Sequence, residues 1–221
     1  MLELAEQMCA IGRRAYARQL VAGTEGNFSC RLGPETVLCT PTATCKGLLR
    51  PVDLCVVDLS GRQVSGIRPR SSEILMHLGL YRAAPHIRAI VHTHPPFATT
   101  WSLAGAMPLA GLLPEGEIFL GEVPVVPYRT PGTADMAAPL LPLLEDYDVA
   151  ILQNHGAVTW GADLETAYVL TETLEAVCRV AYQARQIGNE GRIPPQERQV
   201  LAQLRAELRA RGKSRTLERR G

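Results

Sequence analysis

The chain has 221 residues, 20% of them charged, and a formal net charge of +1. That balance excludes gross disorder, gives no electrostatic reason to expect nucleic acid or an anionic membrane as partner, and fits one domain over residues 1–221. No run approaches the ~20 apolar residues of a membrane-spanning helix, and nothing at the start reads as a signal peptide.

Taken in order, residues 2–22 predict an amphipathic helix, with Leu4, Met8, Ile11 and Ala15 at helical spacing and Gly23 closing it. Gly23-Thr24-Glu25-Gly26-Asn27-Phe28-Ser29-Cys30-Arg31-Leu32 starts as a glycine loop and becomes a strand, with residues 36–40 as the returning strand of a hairpin. Thr40-Pro41-Thr42-Ala43-Thr44 follows as a polar loop, then a strand over 53–59 and a short return over 63–65. A helix is predicted over 72–82, capped by Ser71 or Ser72. The bare N–H groups of its first turn favour an anion. Glu73 fits an ordinary first-turn acid and a functional carboxylate equally well. His77 reads as a packed or solvated helix residue, and His86 as an exposed loop residue.

Ala89-Ile90-Val91-His92-Thr93-His94-Pro95-Pro96 is an apolar strand ending in His-x-His. Side chains on a strand repeat every two residues, so His92 and His94 share a face, and Pro95-Pro96 stops the strand beside them. A short helix over 97–104 follows, then Glu115 and Glu117 before an apolar stretch, and a strand over 123–127. Residues 132–144 read as a helix despite Pro139 and Pro142. Val149-Ala150-Ile151-Leu152-Gln153-Asn154-His155-Gly156 is a second apolar strand with a histidine at its end, followed by a partner strand over 157–160. Three imidazoles with one position open would be the ligand set of a catalytic zinc rather than a structural one. The six cysteines, Cys9, Cys30, Cys39, Cys45, Cys55 and Cys178, form no C-x-x-C pair and read as reduced core thiols of a cytoplasmic protein. Asp163 caps a long helix to about Ile187, ended by Gly188-Asn189. A last helix over 194–211 precedes an arginine-rich tail, about 212–221, expected to fray. The positive charge is almost all arginine; Lys46 and Lys213 are the lysines.

Together, Gly26-Asn27-Phe28-Ser29 with Arg31, Thr40-Pro41-Thr42, Ser71-Ser72-Glu73, His92-Thr93-His94-Pro95 and Asn154-His155-Gly156 resemble the class II aldolase/adducin family, and within it the fuculose-type aldolases. The likeness covers nearly the whole chain, and the order of five motifs is more specific than any one. It implies an α/β fold, a three-layer α/β/α sandwich on a central, mostly antiparallel sheet, assembled as a homotetramer with interfacial active sites. It implies one zinc per chain, held by His92, His94 and His155. Glu73 would reach the metal at rest and carry protons once substrate displaces it. Gly26, Asn27, Thr42, Ala43, Ser71 and Ser72 would hold the phosphate of a sugar phosphate. The reaction implied is reversible cleavage of a ketose 1-phosphate, L-fuculose 1-phosphate-like, to dihydroxyacetone phosphate and an aldehyde. Retro-aldol cleavage leaves an enediolate whose charge a divalent metal can carry, and a nearby carboxylate can move the proton.

The departures from that pattern bear on mechanism. Ala43 stands where the family has glycine, tolerable only with φ below zero. The fuculose-type aldolases carry tyrosines in the region of Leu109-Ala110-Gly111-Leu112-Leu113 and near the C-terminus; this chain has none there or after Tyr182. Glu117-Ile118-Phe119-Leu120-Gly121 resembles a stretch of related dehydratases whose glutamate is the acid/base, so Glu117 is the candidate second acid; a solvated turn acid fits it equally. Glu73, where related epimerases have Asp, argues for carbon–carbon cleavage. A dehydratase, a decarboxylase of a 3-oxo sugar-acid phosphate, and a non-catalytic adducin-like interaction domain are the competing readings.

Overall fold

The alternating apolar runs form one eight-stranded sheet in a computed structural model that describes residues 1–105, 107, 110–188 and 191–218, with side chains to residue 210. The strands are β1 (Asn27–Arg31), β2 (Thr36–Cys39), β3 (Cys55–Asp58), β4 (Gln63–Ser65), β5 (Ala89–Thr93), β6 (Val125–Val126), β7 (Val149–Leu152) and β8 (Gly156–Gly161), in spatial order β4-β3-β2-β1-β5-β8-β7-β6. Every pair is antiparallel except β6 with β7. The helices are α1 (Leu2–Ala17), α2 (Ile74–Ala83), α3 (Pro96–Leu103), α4 (Leu164–Ile187) and α5 (Pro195–Glu218).

The two faces follow the strand period. Val37, Cys39, Ile90, Ala150, Leu152, Val158 and Trp160 turn to α2 and to the segment around Met136 and Leu140. Phe28, Leu38, Ala89 and Val91 turn to α1 and the start of α4, and Val149, Ile151 and Ala157 turn to α3 and α4. The result is the expected three-layer α/β/α arrangement on a mostly antiparallel sheet. Asp163 Oδ1 accepts from Thr166 N–H at 2.8 Å to start α4, and Gly188, at φ +83°, ends it; Asn189 lies outside the described residues. Among the described residues no helix is long and apolar enough to cross a membrane.

Several boundaries differ from expectation. The first helix stops at Ala17 rather than residue 22, with Gln19 at φ +58°. The turn carries Leu20 and Val21 into the core, and the Leu20 carbonyl accepts from His94 N–H at 2.9 Å. Docking onto the end of β5 outweighs continued helical periodicity. The strand expected over 53–59 begins at Cys55, because Pro51–Asp53 forms a 3₁₀ turn in which Asp53 is held by Arg50 and Arg68. The helix expected over 132–144 is absent; two 3₁₀ turns, Ala134–Met136 and Leu141–Leu143, replace it. Pro139 and Pro142 withhold the N–H groups a continuous helix needs, while Met136, Leu140 and Leu144 still reach the core. His86 is half-buried rather than exposed. The last helix runs to Glu218, into the expected tail, despite Gly212, Ser214 and Thr216 in its last turns; Arg219 and Arg220 lie outside the described residues.

Candidate functional site

Three elements bring the histidines together. β5 places His92 fully buried, with Asn27 of β1 opposite it on one side and Val158 of β8 on the other. His94 follows β5, and Pro95-Pro96 turn the chain into α3. Glu175 of α4 caps that helix, its carboxylate accepting from Phe97 N–H at 3.1 and 3.0 Å and Ala98 N–H at 3.0 Å. His155 sits in the turn between β7 and β8, where Asn154 takes φ +57° and donates its N–H to Ser102 Oγ at 3.3 Å. Gly156 makes the approach possible: a Cβ there would lie 2.4 Å from the Thr93 carbonyl oxygen and 2.8 Å from His94 Cδ2.

The three ring centroids lie 4.7–4.9 Å apart, and one nitrogen from each ring lies within 4.8 Å of the others. His92 Nε2 and His94 Nε2 are 3.1 Å apart. Glu73, the residue just before α2, spans the cluster. Its Oε2 lies 3.3 Å from His92 Nε2 and its Oε1 lies 3.4 Å from His155 Nε2, and Asn27 Nδ2 donates to Oε2 at 2.6 Å.

The outer nitrogens of two rings are committed. His92 Nδ1 donates to the Ala157 carbonyl at 2.9 Å, and His94 Nδ1 to Glu25 Oε2 at 3.1 Å. In neutral rings both Nε2 atoms are then bare electron pairs, turned on each other and on a carboxylate. Such a set repels itself unless a cation lies between. The 3.1 Å separation is close to the edge of a tetrahedron with zinc–nitrogen bonds of about 2.0–2.1 Å. The donor set therefore fits a divalent metal.

The electrostatics agree. Burial, with the charge of neighbouring histidines, pushes His94 down to about 3 and His155 down to about 4, so both are neutral ligands at neutral pH. For Glu73 burial acts upward, but positive charge at the His92 ring (a proton, or the cation the neutral ring would hold), with Asn27 and His155, outweighs it and holds the carboxyl well below the usual range.

Beside the cluster, three segments converge. Phe28 N–H donates to Thr40 Oγ1 at 3.1 Å and Thr40 N–H returns to the Phe28 carbonyl at 3.0 Å. Thr42 N–H donates to the Pro69 carbonyl at 3.0 Å, and Ser71 N–H to the Thr40 carbonyl at 3.2 Å. These bonds gather Gly26 and Asn27, Thr42 and Ala43, and Ser71 and Ser72 around one end of the sheet. Gly26 sits at φ +74°, and a Cβ there would meet Val21 and the His92 carbonyl oxygen. Ser71 Oγ accepts from Glu73 N–H at 3.3 Å, but α2 begins at Ile74 with Glu73 at its N-cap and no side-chain cap, so neither Ser71 nor Ser72 caps it as expected. Ala43 departs from expectation: it takes φ +50°, the left-handed conformation.

Glu117 is not brought to the histidines. It lies buried in a π-helical turn, Gly116–Leu120. Its carboxylate accepts from Gly111 N–H and lies 3.4 Å from Arg198 Nε of α5. The structure thus gives this expected acid an anchoring role, because α5 supplies the cation its carboxylate meets. His77 is packed rather than solvated, its Nδ1 2.6 Å from Ser29 Oγ.

Three residues take structural positions at the site that the sequence motifs do not mark. Glu25 is an acid inside a glycine loop. Lys46 is one of two lysines in a chain of arginines; it is buried, donates to the Thr24 and Thr44 carbonyls at 2.8 and 2.7 Å, and is lowered by burial to about 8. Glu175 is an acid between Leu174 and Val177 on the apolar face of α4. Each breaks its local pattern, and that was the available signal.

Residues 6–182 match the family model described as Class II Aldolase and Adducin N-terminal domain. The L-fuculose phosphate aldolase of Methanococcus vannielii is 40% identical over 165 residues, 75% of this chain and 88% of that one. The 3-oxo-tetronate 4-phosphate decarboxylase of Pectobacterium atrosepticum is 35% identical over 180 residues, 80% of this chain and 82% of that one. The solved structure of YgbL from Klebsiella pneumoniae superposes with a TM-score of 0.83 at 34% identity, covering 90% of this chain and 97% of that one.

Proposed function

Because the chain belongs to the class II aldolase/adducin family, we propose that it is a zinc-dependent lyase that breaks a carbon–carbon bond beside the carbonyl of a phosphorylated sugar, with aldol cleavage of a ketose 1-phosphate as the first reading. The observation that carries it is the convergence of His92, His94 and His155 with Glu73 across two of their Nε2 atoms at 3.3 and 3.4 Å. In this reading the three histidines hold the metal. When bound, it supplies an electron-withdrawing centre at the substrate's carbonyl oxygen.

The remaining work belongs to the chain. Asn27, by donating to Glu73 Oε2, holds that carboxylate at the metal side of the cluster. Glu73, ionised at neutral pH, takes the proton from that carbon in the condensation direction; in the cleavage direction it takes up a proton from solvent and delivers it to the carbon released by bond breaking. The amides and hydroxyls of Gly26, Asn27, Thr42, Ala43, Ser71 and Ser72 bind the phosphate and fix the distance from it to the reacting carbons. The proposal extends to a cytoplasmic homotetramer with interfacial sites. His94, with 22% of its side chain exposed, leaves the cluster open on one side; sedimentation analysis tests the assembly.

A second reading has its own support. Aldol cleavage needs two proton events, one at the departing hydroxyl and one at carbon, whereas loss of carbon dioxide from a 3-oxo acid needs only the second. Glu73 is the one carboxylate facing the Nε2 atoms among the described residues, and Glu117 is held by Gly111 and Arg198. A decarboxylase among the relatives points the same way. The deciding experiment offers the zinc-loaded enzyme phosphorylated ketoses and 3-oxo sugar-acid phosphates, and follows dihydroxyacetone phosphate and carbon dioxide. Dihydroxyacetone phosphate and an aldehyde from a ketose 1-phosphate, lost on chelation and restored by zinc, are the expected products. Carbon dioxide from a 3-oxo sugar-acid phosphate, with no cleavage of any ketose 1-phosphate, moves the chain to the second reading. Neither product with any divalent metal rejects both.

A further inference from the structure

Glu25 is a negative charge in a loop whose neighbours, Gly26 and Asn27, are assigned to an anion. In that setting it weakens anion binding unless it does something else. Both its oxygens are occupied. Oε1 accepts from Ala22 N–H at 2.7 Å, and Oε2 lies 3.1 Å from His94 Nδ1. Glu25 N–H returns to the Ala22 carbonyl at 3.1 Å, so the carboxylate is pinned by its own turn before it meets the ring. Lys46, donating to the carbonyl of the adjacent Thr24, places a buried cation behind the same loop.

We propose that Glu25 is a positioning residue that locks His94 in its metal-ligating tautomer and strengthens it as a ligand. A carboxylate can only accept here, so the proton of neutral His94 resides on Nδ1 and the electron pair on Nε2, the atom facing His92 Nε2. Hydrogen bonding from an imidazole to a carboxylate also raises the basicity of the far nitrogen. His92 receives the weaker version, from the Ala157 carbonyl. The inference rests on the histidine cluster being a metal site.

The test is zinc affinity of the metal-free protein, by competition with a chromophoric chelator, in wild type, Glu25→Ala and Glu25→Gln. Removing a hydrogen-bonding partner of this kind weakens metal binding by about 10–100-fold. Glu25→Ala is expected in that range. Glu25→Gln, which keeps an acceptor oxygen for Nδ1 but loses the charge, is expected between it and wild type, and carries the test if the alanine variant does not fold. A second readout needs no metal: the ring ¹⁵N shifts of His94 should report Nδ1–H in wild type and a tautomer mixture in Glu25→Ala. A role confined to the turn with Ala22 would lower thermal stability without moving either readout. Zinc affinities within two-fold of wild type in both variants overturn the inference while the metal reading stands. A wild type with no affinity for zinc overturns both.

Discussion

Glu73 meets two rings and an amide at once, and the Asn27 amide, donating to Oε2, favours its ionised form. Glu73→Gln keeps the shape and the Asn27 neighbour but removes the base. Turnover should fall by about 10²–10⁴-fold, the usual scale for loss of a general acid–base group, with zinc content unchanged by elemental analysis because the histidines remain. Glu117→Gln should behave differently. Its carboxylate meets Gly111 and Arg198, so turnover within a few-fold of wild type is expected; a loss as large as that of Glu73→Gln would return Glu117 to the mechanism. Ala43 bears a cost of its own. A left-handed alanine is disfavoured by about 1–2 kcal/mol, and glycine there gives back part of that through the freedom it adds to the unfolded chain. Ala43→Gly should stabilise the protein by about 0.5–1 kcal/mol, read as a higher urea midpoint at unchanged slope.

Between α2 and β1 runs a polar seam that carries the site. Asn27, Ser29 and Arg31 are two residues apart on β1; Glu73, His77 and Tyr81 are four apart on and just before α2. Two strand residues rise about 6.8 Å and four helical residues about 6 Å, so the two sets stay in step. Asn27 meets Glu73, Ser29 Oγ lies 2.6 Å from His77 Nδ1 and 2.9 Å from Tyr81 OH, and Arg31 donates to the Tyr81 carbonyl. The seam sets the height of α2 on the sheet, and with it the position of Glu73 over His92. Ser29→Ala leaves two buried polar groups without this partner, which should cost about 1–3 kcal/mol in urea denaturation. The metal content of the folded protein should hold.

Across the whole molecule, three histidines are kept neutral by the fold: His77 at about 3, His94 at about 3 and His155 at about 4, each pushed down first by burial. In the unfolded chain each titrates at its ordinary value of 6.5. Above that pH both states are neutral and the histidines contribute no pH dependence. As pH falls from 6.5 towards 4 the unfolded state takes up protons that the native state refuses, so native stability falls. The histidines should therefore make the urea midpoint of the metal-free protein decline steadily as pH falls from about 6.5 towards 4. A midpoint rising over that interval would contradict neutral native histidines.

The local features were legible in the residues themselves. Strand alternation put His92 and His94 on one face, Asp163 and Gly188 marked the ends of α4, and the hairpin of β1 and β2 lay where turn residues separated two apolar runs. These depend on neighbours a few positions away, so short windows encode them. The motifs in sequence likewise pointed to the histidine triad and to Glu73. What the tertiary structure decided was every feature whose partner comes from far along the chain. α1 stops at Ala17 because the Leu20 carbonyl meets His94 N–H. Glu117 turns from the histidines because α5 brings Arg198 to it. Ala43 takes φ +50° in a loop whose Thr42 N–H is bound to the Pro69 carbonyl. Glu25 reaches His94, 69 residues on, only because β1 and β5 pair. A carboxylate's partner is set by which donor the packed core carries within about 3 Å of it, and no local window contains that distance.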